Sequence, residues 1–359
     1  MKKPKKTVII AMSGGVDSSV AAALLKKKGY NCLGAFFITW TQDVLGLKMC
    51  PWQQDVFDAR QVCEKLDIPL YVFNFEEEYK KRVIEYFFRE YQVGRTPNPD
   101  VMCNREIKFN LFLKKAKELG ADYIATGHYA QIKKTRGGYQ LLKGKDPSKD
   151  QSYFLYTLQQ GQLKQTLFPI GGLLKPQVRK LAKKFDLPNW QKKDSQGICF
   201  LGQVKLKDFL QSRIPVKKGN IVDKAGKVLG QHDGTAFYTI GQRHGLKIGG
   251  SDQPYYVVSK DEQTNTVVVS KGNDNLDLRE GKLVAVDLSW VNEVPKLPLN
   301  CLAKIRYRQP DQKVQIQSFE KNKILATFDQ PQRAITLGQS IVFYDKNRVL
   351  GGGVIDRVY

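Results

Sequence analysis

From Thr7 to about residue 200, apolar positions follow two alternating rhythms. Short continuous runs read as strands: TVIIAM from Thr7, CLGAFFI from Cys32, LYVFNF from Leu70 and DYIAT from Asp122. Between them lie segments with helical spacing. The first starts near Ser18 and runs to Lys28, where Gly29 acts as a C-cap. Residues 54–66 place Val56, Ala59, Cys63 and Leu66 on one face. Residues 76–91 do the same with Val83, Ile84, Phe87 and Phe88, and residues 107–119 with Phe109, Leu113 and Ala116. This alternation predicts an α/β fold, a doubly wound parallel sheet with helices on both faces and ligands at the carboxyl ends of its strands. Three segments fall at such ends: SGGVDSS after the first strand, Thr39-Trp40 after the second, and Thr126-Gly127-His128 after the last.

Beyond about Phe209 the rhythm changes. The turn-forming strings DKAGK, DEQTN, KGNDN, FEKNK, FDQPQ and YDKNR separate period-two runs such as TVVVS and KVQIQSF. That is the pattern of antiparallel strands. The expected organisation is an ATP-binding catalytic domain over 1–204, a central β-rich domain over 205–280 and a C-terminal antiparallel β-barrel over 281–359. No run approaches the roughly 20 apolar residues of a membrane span. Strand-like TVII follows MKKPKK too closely to leave room for a signal or transit peptide. A cytoplasmic protein with no membrane contact is expected.

The string from Ala11 through Met12, Ser13, Gly14, Gly15, Val16, Asp17 and Ser18 joins the first strand to the first helix. Its glycines let the backbone turn tightly and aim N–H groups at a phosphate, and the helix adds its positive end. Ser13, Ser18 and Ser19 add hydroxyl donors. A Walker loop carries a lysine for transfer of the γ-phosphoryl group; this loop has none. It suits a pyrophosphate that leaves while AMP is transferred. Asp17 is the candidate carboxylate for a magnesium ion beside it. The string matches the loop of the N-type ATP pyrophosphatases (PP-loop proteins), a resemblance that implies ATP and adenylation.

Charge and cysteines narrow what is adenylated. Lys plus Arg number 58 against 35 Asp plus Glu, a net +23. Such an excess attracts polyanions in a salt-dependent way. Six cysteines stand at 32, 50, 63, 103, 199 and 301, with no CxxC pair, which argues against a structural zinc site. Cys32, Cys63 and Cys301 read as buried, and Cys50 stays unassigned. Cys103 and Cys199 sit in the polar segments GRTPNPDVMCNREIKF and KKDSQGICFLG. A helix start beside Cys103 and lysines beside Cys199 favour the thiolate. Asp100 reads as an acid or base toward substrate, because a carboxylate alone would raise a nearby thiol pKa.

Together these features suggest sulfur transfer to a nucleic acid. Adenylating a carbonyl oxygen makes AMP a leaving group, a persulfide delivers sulfur, and a second thiol cleaves the S–S bond to leave a disulfide. A small-metabolite ligase or amidotransferase would share the loop but gives no reason for the charge or the two loop cysteines. A non-catalytic RNA-binding protein gives no reason for an intact SGGVDSS.

Over nearly its whole length the chain resembles the bacterial tRNA-specific 2-thiouridylases. The resemblance rests on AMSGGVDSSVAA, TPNPDVMCNREIKF, ATGHYA, DQSYFL, DSQGICF, YTIGQRHGL, IRYRQ, GQSIVFYD and LGGGVI. It implies 2-thiolation of the wobble uridine, position 34, in tRNAs for Lys, Glu and Gln, with release of AMP and pyrophosphate. By that resemblance Cys199 is the persulfide carrier, loaded by a sulfur-relay protein or cysteine desulfurase. Cys103 is the second cysteine, and Asp100 the acid/base. Asn98, Pro99 and Asp100 line the base pocket. Ala11 to Ser18, Phe37 and Gly127 form the ATP site, while His128, Lys149, Asp150, Gln151, Tyr307, Arg308 and Gln339 contact tRNA. The chain departs from its relatives at Phe37, where Met is usual, and at Leu337, where Pro is common. Some thiolases of the wider superfamily use an iron–sulfur cluster. Asp100, Cys103 and Cys199 carry suitable donor atoms, so both routes stay open.

Overall fold

The computed structural model describes residues 5–41, 52–194, 204–249, 252–272 and 276–359. Cys50, Cys199 and part of the KGNDN turn lie outside the described residues. The first strands are β1 (Thr7–Ala11), β2 (Asn31–Ile38), β3 (Leu70–Asn74), β4 (Tyr123–Ala125), β5 (Ala130–Thr135), β6 (Gly138–Lys143) and β7 (Thr166–Leu167). Five of them form a parallel sheet in the order β3-β2-β1-β4-β7. Its inner strands β1, β2 and β4 are largely buried on both faces, which is why they read as unbroken apolar runs, whereas the edge strand β3 leaves Tyr71 and Val72 exposed. Val8, Ile10, Cys32 and Phe36 face one core with helices α1 (Val16–Lys27) and α2 (Trp52–Lys65). Ile9, Ala35 and Ile124 face the other, packed against Phe87, Phe109 and Phe112 from the helical runs 76–92 and 99–118. Strand order reverses between β1 and β4, and a crevice opens at such a point.

The second of those runs begins earlier than the periodicity predicts. Asn98 caps it, its side chain accepting from the Val101 amide at 3.3 Å, and Pro99 fills the first helical position. Cys103 therefore sits a full turn inside the helix rather than at its start. From Cys103 to Leu111 the run is π-helical, a form concentrated at functional sites. The polar first turn hides this start, because helical period is read from apolar residues only.

Beyond Leu206 two β units follow. Strands β8 (Gly219–Val222), β9 (Val228–His232), β10 (Tyr255–Asp261) and β11 (Thr266–Lys271) form a sheet in the order β10-β11-β8-β9 around Ile221, Val257, Val267 and Val269. Six more strands close a barrel: β12 (Arg279–Trp290), β13 (Leu299–Lys304), β14 (Gln312–Ser318), β15 (Ile324–Arg333), β16 (Ser340–Asp345) and β17 (Arg348–Val358). Closure is made by β12 pairing with both β15 and β17, which leaves the ring without a free edge. Leu283, Ile305, Ile316, Ile341, Phe343 and Ile355 fill its interior.

Two features differ from the expected pattern. FDQPQ is not a turn but part of β15. Pairing with β12 lapses between Thr327 and Gln332, and Pro331 sits in that irregularity, where no ladder hydrogen bond is required of it. The β5–β6 hairpin belongs to the N-terminal half in sequence but extends the barrel sheet, where Leu142 pairs with Arg348 of β17. Among the described residues no helix is long and apolar enough to cross a membrane.

Candidate active site

The lysine-free loop leaves β1 at Ala11 and turns at Gly14, whose φ of +71° is left-handed. A Cβ at Gly14 would stand 2.4 Å from the Asp55 carbonyl oxygen, so only glycine fits. Gly15 then caps α1 in an extended conformation. The Ser18 hydroxyl donates to the Gly15 carbonyl at 3.0 Å and accepts from the Ser13 amide at 3.2 Å. Ser19 donates to the same Gly15 carbonyl at 2.9 Å. Asn189, distant in sequence, holds the loop from outside: its amide donates to the Gly14 carbonyl at 2.8 Å and to Ser19 Oγ at 3.0 Å. The result is a tied loop at the amino end of a 12-residue helix, a geometry that presents N–H groups and a positive dipole to a phosphate. The loop thus fits a nucleotide polyphosphate. Met12 and Val16 are buried beneath it. Gly127, at the end of β4, closes the crevice opposite, since a Cβ there would lie 2.7 Å from the Ser18 amide nitrogen.

The cation absent from the loop comes from elsewhere in the fold. Lys175 Nζ lies 2.8 Å from Asp17 Oδ1 and 2.9 Å from Asp17 Oδ2. It also lies 2.8 Å from Asp194 Oδ1. Tyr129 donates its hydroxyl to Asp17 Oδ1 at 2.9 Å. Asp194 further accepts from Lys149 at 2.7 Å and from Arg179 at 2.5 Å. Desolvation acts to raise the Asp194 pKa, but hydrogen bonds from Lys149 and Lys175 outweigh it and hold the group at about 2. Asp17 is therefore saturated by protein partners, and among the described residues no group of three or more His, Cys, Asp or Glu is arranged to hold a metal ion. A magnesium ion would arrive on the nucleotide and compete with Lys175 for Asp17.

A second cluster surrounds Asp100 and Cys103. They lie three residues apart in one helical run, on one face. Cys103 is buried. Asp100 is partly exposed as a residue, yet desolvation of its carboxyl raises its pKa, and the Lys108 ammonium opposes that shift. A carboxyl raised in this way holds its proton more readily than an exposed one and is suited to an acid/base role. Lys108 also acts on His128, whose burial, aided by that charge, lowers its pKa well below the usual value. His128 is neutral, its Nδ1 2.7 Å from Thr126 Oγ1, its ring 5.8 Å from Phe109 and 6.0 Å from Phe168. His128, next to Gly127, packs on Phe109 of the Asp100–Cys103 helix, and the Lys108 charge acts on both Asp100 and His128, which links that helix to the strand end behind the phosphate loop.

The barrel grips the turn that carries this helix. Gln339 donates to the carbonyls of Thr96 and Pro97 at 3.0 and 2.9 Å. Arg95 bridges Glu90 and Asp356, both at 2.9 Å. Tyr153, beside Asn98, donates to the Ser340 carbonyl at 2.7 Å. Tyr307 packs against Phe154 with ring centroids 4.6 Å apart and planes tilted by 45°, and Arg308 is exposed beside it with a φ of +64°. Phe37 packs on Phe75 and Phe112 at 5.4 and 4.6 Å and remains partly exposed. Asp150 is buried, accepting from the amides of Gly144 and Ser152 at 2.9 and 3.1 Å, while Gln151 accepts from the Tyr129 amide at 3.0 Å. Lys149 and Gln151 thus connect to the phosphate loop at one remove, through Asp194–Lys175 and through Tyr129, while Asp150 lies near Lys304 of the barrel. Cys199 lies outside the described residues. Sequence reading misses Lys108, Lys175, Arg179, Asn189 and Asp194. Lys108 and Asp194 stand inside the strings TPNPDVMCNREIKF and DSQGICF but received no role, Lys175, Arg179 and Asn189 stand in none, and only their partners across the fold mark them.

Three family models cover the chain. One described as a tRNA methyl transferase HUP domain matches residues 6–203. A tRNA methyl transferase PRC-barrel domain matches 207–271, and an aminomethyltransferase β-barrel domain matches 280–355. The tRNA-specific 2-thiouridylase MnmA of Protochlamydia amoebophila (strain UWE25) is 51% identical over 357 residues, covering 99% of this chain and 94% of that protein. The protein of the same name from Geobacillus thermodenitrificans (strain NG80-2) is 49% identical over 360 residues, covering 100% and 97%. That from Alkaliphilus oremlandii (strain OhILAs) is 50% identical over 362 residues, covering 99% of each.

Proposed function

The chain belongs to the tRNA-specific 2-thiouridylase family, PP-loop enzymes that thiolate tRNA, and from that premise we propose that it converts the wobble uridine, position 34, of tRNAs for Lys, Glu and Gln to 2-thiouridine. The observation that supports this reading best is a chain of contacts: the phosphate loop at Ser18 meets Gly127, the next residue, His128, packs on Phe109 of the helix that carries Asp100 and Cys103, and the Lys108 charge acts on both His128 and Asp100. An adenylating loop and a proton-exchanging carboxyl then face the same substrate.

In this reading the loop from Ala11 to Ser18, with Phe37 and Gly127, holds ATP. The uridine O2 attacks the α-phosphorus, and pyrophosphate leaves under the loop amides. Asp17 is the carboxylate that would hold a magnesium ion bound with the nucleotide, which would supply neutralisation of phosphate charge. Asn98, Pro99 and Asp100 hold the base, Asp100 moving the proton that the base loses. The terminal sulfur of a Cys199 persulfide, supplied by a sulfur-relay protein or cysteine desulfurase, attacks C2, and AMP leaves. Cys103 then attacks Sγ of Cys199. The S–S bond breaks, sulfur stays on C2, and a Cys103–Cys199 disulfide forms; an external thiol returns its two electrons. His128, Lys149, Asp150, Gln151, Tyr307, Arg308 and Gln339 form or support the tRNA surface. The catalytic, central and barrel units span 1–204, 205–280 and 281–359.

The test is an air-free assay with ATP, magnesium, unmodified tRNA and a persulfide donor. Thiolated tRNA is read on a mercury gel and AMP in parallel. Thiolation with tRNA-dependent AMP and no visible chromophore supports the proposal. Activity only in a brown, cluster-bearing protein would replace the persulfide route, and AMP release without thiolation would overturn the substrate.

A further inference from the structure

Lys175 is the most constrained cation in the crevice. Its side chain is only 13% exposed, and its ammonium meets three carboxylate oxygens, two of Asp17 and one of Asp194. Its backbone is fixed as well: the Lys175 amide donates to Asp146 Oδ2 at 2.8 Å, at the start of helix Lys175–Lys184. With Asp146, the cluster contains three carboxylates, Asp17, Asp146 and Asp194, and three cations, Lys149, Lys175 and Arg179. The charges balance, and Lys175 is the cation that reaches Asp17 in the first turn of α1, where the loop itself has no lysine.

We propose that Lys175 is the phosphate-positioning cation of this PP-loop, docked on Asp17 without nucleotide and transferred to the β- and γ-phosphates when ATP binds. The inference rests on the reading of the loop as an ATP site. The exchange is isoelectric. Lys175 leaves one anion for another, and Asp17 is released toward the metal that the nucleotide carries. Asp194, held by Lys149 and Arg179, keeps its charge neutralised during the exchange. The lysine contacts the groups that depart, not the AMP that is transferred. Its loss should therefore weaken binding of pyrophosphate and ATP while sparing AMP. A Walker lysine solves the same electrostatic problem from within its loop.

The experiment measures binding of ATP, AMP and inorganic pyrophosphate, each with magnesium, to the wild type and to Lys175→Met, Lys175→Gln and Lys175→Arg. Thermal melting of each variant is recorded alongside. Glutamine keeps a hydrogen-bond donor without the charge and serves as the second neutral variant. Expected is a loss of about tenfold or more in pyrophosphate and ATP affinity for Met and Gln, little change for AMP, and substantial recovery with Arg. Equal loss for AMP, or unchanged pyrophosphate affinity, would overturn the role of Lys175. A wild-type protein that binds neither ATP nor pyrophosphate would instead overturn the reading of the loop.

Discussion

Gln339 Nε2 lies 2.9 Å from the carbonyl oxygen of Pro97, so a barrel residue holds the turn that presents Asn98, Pro99 and Asp100. The same amide reaches the Thr96 carbonyl at 3.0 Å, and the Thr96 amide donates in turn to the Leu337 carbonyl at 2.9 Å. The barrel therefore helps set the geometry of the site as well as enlarging the basic surface. Replacing Gln339 with Leu leaves two carbonyls without this donor, a cost of about 1–3 kcal/mol. The expected result is a thiolation rate lower by about tenfold with ATP affinity intact. Single-turnover thiolation and ATP titration check it, and a wild-type rate would remove the positioning role.

Gly127 is a contact point between β4 and the phosphate loop. A Cβ there would lie 2.7 Å from the Ser18 nitrogen and 2.8 Å from the Asp17 carbonyl carbon, both backbone atoms that cannot swing aside. Gly127→Ala should push the loop off its geometry and cost about 1–3 kcal/mol of stability. ATP affinity should fall with it. Urea unfolding and nucleotide titration measure both, and wild-type ATP affinity in a folded variant would show that the loop tolerates the shift.

Lys260 ties the central sheet to the N-terminal half by donating to the Gly94 carbonyl at 2.7 Å. Burial lowers its pKa from 10.5 to about 8, partly offset by Glu262. Between these values the unfolded chain keeps the proton that the folded chain has lost. Unfolding free energy therefore rises with pH through this window. The Lys260 penalty is fully present below about pH 8 and relieved as pH rises toward 10.5, by about 3 kcal/mol at most. Denaturation from pH 7.5 to 9.5 should show the rise, and Lys260→Met should flatten it. An equal slope in that variant would assign the effect to another group.

The net charge of +23 predicts that tRNA binding is strongly electrostatic. Affinity measured from 50 to 200 mM salt should fall by about tenfold or more, linearly in log–log form. Lys108→Met, which removes a charge near Asp100, should reduce catalysis more than it alters that slope. A flat salt profile would remove the electrostatic account of tRNA binding.

The sequence by itself determined what depends on neighbours in the chain. Strand, paired glycines and helix in SGGVDSS specify a phosphate loop, because the turn and the helix dipole are local. Asn98-Pro99 likewise specifies a helix start, although reading apolar period alone places that start too late. Alternating rhythms specify the parallel sheet, and the turn strings specify most of the hairpins. Tertiary structure decided what depends on partners remote in sequence. Lys175 meets Asp17 across 158 positions, and Asn189 meets Gly14 across 175. Neither pairing leaves a trace in periodicity or motif. Gln339 and His128 are named by resemblance to a family, but only packing shows one holding the Pro97 turn and the other buried between Phe109 and Phe168. Pro331 argues locally for a turn, and the surrounding barrel ladder overrides it. Backbone preference acts over a few residues, whereas the position of a charge in a crevice is set by the topology that closes it.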